Sequence, residues 1–155
     1  MSKRYESSLD GAALRVGVIA SRFNSVVTER LLEGALDGLR RHGVPESRLE
    51  IAGVPGAFEL PIIAALMAAS GRMDAVVCLG AVVKGETPHF DMIAQWVVEE
   101  IGRVSVAHRV PIALGVLTTS TIEQALERAG GTHGNKGYDA ALVAIEMANL
   151  ARQVG

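Results

Sequence analysis

Aromatic side chains are scarce: one tryptophan, two tyrosines and three phenylalanines make up only 4% of the chain. The 49% of hydrophobic residues is therefore carried mainly by Ala, Val, Leu and Ile. Small and branched side chains suit close packing of helices on a sheet. They suit a large subunit interface equally well, and composition alone does not separate the two uses. Cysteine is nearly absent. A single Cys78 excludes an internal disulfide, and no set of Cys and His has zinc-ligand spacing. Cys78 stands inside the apolar run DAVVCLGAVV, so it is expected to be a buried structural thiol rather than a nucleophile. No stretch approaches the ~18 uninterrupted apolar residues of a membrane span, and the opening MSKRYESSLDGAALRVGVIAS lacks the apolar core of a signal peptide. A soluble, cytoplasmic protein is the expectation. Neither charge dominates: 15 Lys and Arg face 17 Asp and Glu, a net charge of −2. No overall basic field therefore addresses nucleic acid or an anionic membrane, which leaves room only for a local patch. The length of 155 residues fits one domain, 1–155, with a core of its own.

What is present is an alternation of apolar runs and helical periodicity. LRVGVIAS (14–21), RLEIAGV (48–54), DAVVCLGAVV (74–83) and PIALGVLTT (111–119) read as four buried strands. Between them, TERLLEGALDGLRRHG (28–43) repeats Leu31, Leu32, Ala35, Leu36 and Leu39 at helical spacing, with Gly43 as its stop. IIAALMAAS (62–70) is a second helix, with Pro61 in its first turn, where the missing N–H does no harm. A long helix is expected from about Pro88 to His108, a short one over 121–130 ending at Gly130 or Gly131, and a last one from about Tyr138 to Gln153. Continuous apolar strands alternating with helices predict an α/β fold with a parallel sheet covered on both faces. Residues 1–13 match no element. They are either a disordered tail or an arm added as a strand to another subunit's sheet.

In such folds, ligands bind beyond the carboxyl ends of the strands. The segments that fall there, SRFN, VPGAFE, VVKGETPHFD and LTTST, are also the least ordinary in the chain. GAVVKGET (80–87) nearly matches a nucleotide-binding P-loop, but Glu86 occupies the lysine position, and a carboxylate there repels a triphosphate. What survives is a helix start with Thr87 as N-cap and Pro88 at the first helical position. The backbone N–H groups of Gly85, Glu86 and Thr87 then face a single phosphate. His89 falls in the first turn, where the helix dipole disfavours imidazolium. It is either a capping or surface histidine or a proton carrier beside a phosphate ester. Phe23 is a lid on the core or a stacking platform. Phe58 packs inward or lines a site, and Glu59 is a first-turn charge or an acceptor for hydroxyl and ring N–H groups. Arg128 and Lys136 are surface charges or anchors for an anion. Trp96 reads as core or interface, Met147 as core, and His42, His108 and His133 as solvated surface.

Taken together, SRFN, VPGAFELP, LGAVVKGETPHFD, GVLTT, IEQALERAG, GNKG and AIEMANL resemble, in order and spacing, the 6,7-dimethyl-8-ribityllumazine synthase family. The likeness runs from about Leu14 to Leu150. It implies a flavodoxin-like three-layer α/β/α sandwich with a four-stranded parallel sheet, extended where a neighbour's N-terminal strand adds to it. It implies a transferase of the penultimate step of riboflavin biosynthesis. That enzyme joins 5-amino-6-(D-ribitylamino)uracil to 3,4-dihydroxy-2-butanone 4-phosphate through an imine, with loss of phosphate, ring closure and loss of water, and with no metal or redox cofactor. By the same resemblance, Phe23 stacks on the uracil. Ala57, Phe58 and Glu59 hold the ring and ribityl chain, and Ala81, Val82 and Val83 line the ring edge. Gly85, Glu86 and Thr87 cradle the phosphate, and His89 transfers the proton. Leu114, Arg128 and Lys136 enter from a neighbouring subunit, Arg128 binding phosphate with Lys136 close by.

Two positions depart from the family pattern. Leu114 stands where phenylalanine is frequent, which keeps an apolar wall and removes a stacking partner. Glu86 is expected to contribute its backbone only. The resemblance also implies homo-oligomers: pentamers, and hollow cages of about twelve pentamers, with riboflavin synthase as a possible enclosed partner. The short GGTHGNKG between the last two helices favours the cage. A flavin carrier without turnover and a purely structural shell are the competing readings.

Overall fold

The computed structural model describes residues 1–86 and 88–155. Thr87, named above as helix cap and phosphate contact, lies outside the described residues. Four strands, β1 (Val16–Ser21), β2 (Leu49–Val54), β3 (Ala75–Val83) and β4 (Ile112–Thr119), form one parallel sheet in the order β2-β1-β3-β4. Helices α1 (Ser25–Arg41) and α5 (Lys136–Val154) cover one face, joined by the short α4 (Ile122–Glu127). Helices α2 (Leu60–Ala69) and α3 (His89–His108) cover the other. The layers are those of a flavodoxin-like α/β/α sandwich.

The apolar runs make central strands because both faces must be dry. Every residue of β1 is buried, and so are the first seven of β3. Cys78 is fully buried there, and burial pushes its thiol pKa up to about 12, the inert thiol expected from its setting. The run GAVV, which mimics the start of a P-loop, belongs to β3 and is not free to wrap a phosphate.

Small side chains set the helix packing. The buried stripe of α5 is Gly137, Ala140, Ala141, Ala144, Ile145 and Ala148, and it lets α5 lie close on α1. A Cβ on Gly137 would come within 2.0 Å of the Leu31 carbonyl oxygen, so glycine is required at that crossing. Met147 falls on the flank of the stripe and is 42% exposed, which corrects its assignment to the core. Helix α1 ends as predicted. Gly43, at φ +91, donates to Arg40 O, and Val44 donates to Leu39 O, the paired bonds of a glycine C-terminal motif.

Other boundaries differ. Helix α1 starts three residues earlier than the periodicity indicates, because Asn24 takes a left-handed conformation and turns the chain straight into it. Pro88 is the N-cap of α3, one place before the position expected of it. Helix α4 stops at Glu127, and the glycines expected to end it form a small antiparallel hairpin instead, β5 (Ala129–Gly131) and β6 (Gly134–Asn135). Helix α5 begins two residues early, capped by the Asn135 side chain, which accepts from the Tyr138 N–H at 3.1 Å.

Residues 1–10 form neither strand nor helix. They run along α5 of the same chain, held by polar contacts: Ser7 Oγ donates to Glu146 at 2.7 Å, and Asn149 Nδ2 donates to the carbonyls of Ser8 and Asp10. Arg152 continues the line to Ala13 O and to Asp74.

Candidate functional site

Two clefts open beyond the carboxyl ends of the strands. The first, of about 400 Å³, is lined by the loop after β1 (Phe23, Asn24), the turn after β2 (Gly56, Ala57, Phe58), the end of β3 (Ala81, Val82, Val83) and the start of α3 (Gly85, His89, Phe90, Ile93). Backbone bonds fix these loops to one another. Arg22 N–H donates to Val54 O and Phe23 N–H to Pro55 O, at 2.8 and 2.9 Å, which ties the first loop to the second. Asn24 Nδ2 donates to Ala81 O at 3.0 Å and ties it to β3. The Asn24 side chain is thus spent on site geometry rather than on capping α1.

Phe23 is 71% exposed, which removes the reading of a lid on the core and leaves a ring standing over the cleft mouth. Phe58 stacks on Trp96 with ring centroids 4.3 Å apart and planes at 20°. Trp96 itself is 38% exposed, so within this chain it is surface, not core. His89 is the first residue of α3 and follows the N-cap, so it is not a capping histidine. Its side chain also borders an adjoining apolar groove with Phe58, Met92 and Trp96.

One oxygen of the Glu59 carboxylate is engaged within its own turn. Its Oε1 accepts the Gly56 N–H at 3.1 Å and braces the turn that presents Ala57 and Phe58. Glu86 is exposed, next to Gly85 at the cleft rim. Leu114 lies in the middle of β4, the edge strand on that side of the sheet, at 36% exposure.

Arg128 and Lys136 are brought together, but in a second cleft of about 530 Å³ lined by the end of β4, Gln124, His133 and Asp139. The hairpin makes this juxtaposition: Lys136 N–H donates to Arg128 O at 2.8 Å, closing the loop between α4 and α5. Arg128 Nη1 donates back to Gln124 O at 3.0 Å. The two clefts share no lining residue. One gathers aromatic rings, backbone groups and a histidine; the other gathers two cations.

Sequence reasoning missed Asn24, Phe90 and Ile93 in the first cleft. Ile93 was accessible from His89, since residues four apart share a helix face. His133 is exposed, as expected, yet it also lines the second cleft, and nothing in GTHGN announces the hairpin that places it there. Among the described residues no helix is long and apolar enough to cross a membrane.

The family model for 6,7-dimethyl-8-ribityllumazine synthase matches residues 13–152, nearly the whole chain and every segment of both clefts. With the sandwich fold and the match in hand, the chain is placed as an enzyme, a transferase of riboflavin biosynthesis, and it belongs to the 6,7-dimethyl-8-ribityllumazine synthase family.

Proposed function

We propose that this protein condenses 5-amino-6-(D-ribitylamino)uracil with 3,4-dihydroxy-2-butanone 4-phosphate to 6,7-dimethyl-8-ribityllumazine, releasing phosphate and water. The observation that carries this reading is the first cleft. Phe23, Ala57, Phe58, Ala81, Val82, Val83, Gly85 and His89 come from four separate segments and line one space. A flat pyrimidine fits between the Phe23 ring and the backbone of Ala57 and Ala81. Gly85 and the start of α3 offer N–H groups to a phosphate, and His89 beside them is placed to move the proton as phosphate departs. Glu86 and Thr87 complete the phosphate cradle by backbone, and Glu59 acts by bracing the turn. The amine and ketone react readily once together, so much of the acceleration comes from holding them in place.

The separation of the two clefts supports a site completed between subunits, with Leu114, Arg128 and Lys136 supplied by a neighbour. Exposed Phe58, Ile62, Leu66, Met92 and Trp96 give that neighbour an apolar surface to cover. We place the working form as a pentamer built from one-domain chains, residues 1–155. The short Arg128–Lys136 connection favours closure into a cage of about 60 subunits, able to enclose riboflavin synthase. In that assembly, arm 1–13 is free to leave α5 and extend a neighbour's sheet. A cytoplasmic setting is part of this reading, in keeping with the polar substrates it assigns. Light scattering measures the assembly, and a lone pentamer removes the cage.

The test of the chemistry is direct. The purified protein is mixed with both substrates, and the fluorescent product is followed against the uncatalysed background. A rate at background sinks the proposal.

A further inference from the structure

We propose that His133 is a third contact for the phosphorylated substrate in the Arg128–Lys136 cleft, binding as the imidazolium and positioned by Glu127. The inference rests on the reading of that cleft as the phosphate-substrate side of the shared site.

The hairpin leaves His133 little choice of place. Gly130 and Gly134 have positive φ, at +98 and +76, and a Cβ on Gly131 would lie 2.7 Å from Glu127 Cα. The loop is therefore folded hard against the end of α4, and the His133 N–H donates to Glu127 O at 2.8 Å. The ring follows. His133 Nδ1 lies 3.2 Å from Thr132 Oγ1 and 3.5 Å from Glu127 Oε2. Nδ1 faces these two groups, so Nε2 is the nitrogen open to a ligand in the cleft that the ring lines.

The charge of the cleft then depends on His133. The charged groups lining it are Arg128 at the end of α4 and Lys136 and Asp139 on the first turn of α5, while Glu127, outside the lining, faces the His133 ring. Two lining cations and one lining carboxylate give 2 − 1 = +1 with a neutral imidazole. Glu127 Oε2 stands 3.9 Å from Arg128 Nη1, so it also offsets the guanidinium. An imidazolium at His133 adds one more positive charge to the lining, and histidine is the side chain that changes charge between pH 5 and 8. A dianion placed there gains one more opposite charge as the pH falls.

Sulfate is the probe, because it keeps its charge across this range while a phosphate monoester does not. Sulfate binding to the assembled protein is measured by calorimetry at pH 6 and pH 8. Wild type is expected to bind about thirtyfold more tightly at pH 6, the effect of one added charge on a dianion at a solvated distance of about 4 Å. His133→Gln should bind at both pH values as wild type does at pH 8. His133→Lys, the second variant, should bind at both as wild type does at pH 6. His89→Gln should keep the pH dependence. In turnover, His133→Gln should raise KM for the phosphorylated substrate and leave kcat and the KM for the ribitylaminouracil unchanged. A His133→Gln profile that matches wild type, with sulfate lost in Arg128→Ala, overturns this inference and leaves the proposed site standing. Sulfate binding unchanged in Arg128→Ala as well removes the anion site itself.

Discussion

If each site joins the first cleft of one chain to the second cleft of another, two damaged chains must repair each other. The perturbation is a mixture of His89→Ala and Arg128→Ala, whose altered residues lie in clefts with no lining residue in common. A hybrid site is intact when its first cleft comes from the Arg128 variant and its second from the His89 variant. With random assembly from equal amounts, each choice is a half, so about one site in four is intact. The His89 variant alone should keep about 1–10% of wild-type turnover, a loss at or below the usual contribution of an acid–base group. The Arg128 variant should be weaker still at low concentrations of the phosphorylated substrate. The mixture should therefore reach about a quarter of wild-type activity, above either parent. The chains must be mixed before they assemble, by co-expression or by refolding together from urea, and the readout is lumazine fluorescence. A mixture that gives only the mean of its parents, although sizing shows mixed assemblies, refutes the shared site and returns Arg128 and His89 to one chain.

Other consequences follow from single residues. His89→Ala should slow turnover about ten- to a hundredfold with little change in KM, and a complete loss with substrate binding intact would show that the histidine does more than move a proton. Asp74 receives the Arg15 N–H at 2.7 Å and Arg152 Nη2 at 3.1 Å, with its side chain only 14% exposed. Burial pushes its pKa up, but the Arg15 N–H and the Arg15 and Arg152 guanidiniums outweigh burial and hold it below the ordinary carboxylate range. A depressed carboxyl stabilises the fold above the unfolded pKa of about 4 and loses that contribution as the pH drops through the folded value. Asp74→Asn should thus cost about 1.5–3 kcal/mol in urea unfolding at pH 7, and the gap to wild type should close progressively below pH ~4; a constant gap would count against the ion-pair account. Gly137→Ala drives a methyl against the Leu31 carbonyl at 2.0 Å. Because backbone cannot step aside as a flexible side chain does, the variant should lose about 2 kcal/mol or more, and an unchanged urea midpoint would show that α1 and α5 separate freely.

The strands were legible because a parallel sheet covered on both faces needs unbroken apolar runs, and the chain has four. The helices were legible where side chains mark a stripe, as Leu31, Ala35 and Leu39 do. They were illegible where the stripe is alanine, since Ala carries too little hydrophobicity to show which face is buried; hence the misplacement of Met147. The β5–β6 hairpin was lost for another reason. Gly130, Gly131 and Gly134 stop a helix as readily as they make a tight turn, and only the contact with Glu127 decides between them. The first cleft could be assembled from sequence because its residues sit just beyond strand ends, a position the topology dictates. The second depends on that hairpin, so Arg128 and Lys136 were recognisable only through family likeness, and His133, correctly read as surface, carried no sign of the cleft it lines.

The scarcity of aromatics gains its meaning from where they stand. Phe23, Phe58 and Trp96 are 71%, 55% and 38% exposed, and Phe90 lines the same cleft as the first two. Large rings ordinarily carry the core, yet here the core is built mainly of Val, Leu, Ile and Ala, while the three Phe rings line one cleft and Trp96 the groove beside it. Their hydrophobic area is not used to fold the chain, and water disfavours leaving it uncovered. Ile62, Leu66 and Met92 extend the exposed apolar surface on the same α2–α3 layer, beyond what a small planar substrate could cover. In the proposed site, a flat ring on Phe23 would account for part of the exposure and a second chain for the rest. A neighbour seated there in the proposed assembly would do more than add Arg128 and Lys136. By excluding water from the cleft, it would strengthen every charge interaction around the departing phosphate. On the proposed assembly the ambiguity of the composition has a physical resolution: the aliphatic residues fold the subunit, and Phe23, Phe58, Phe90 and Trp96 would serve the ligand and the neighbour.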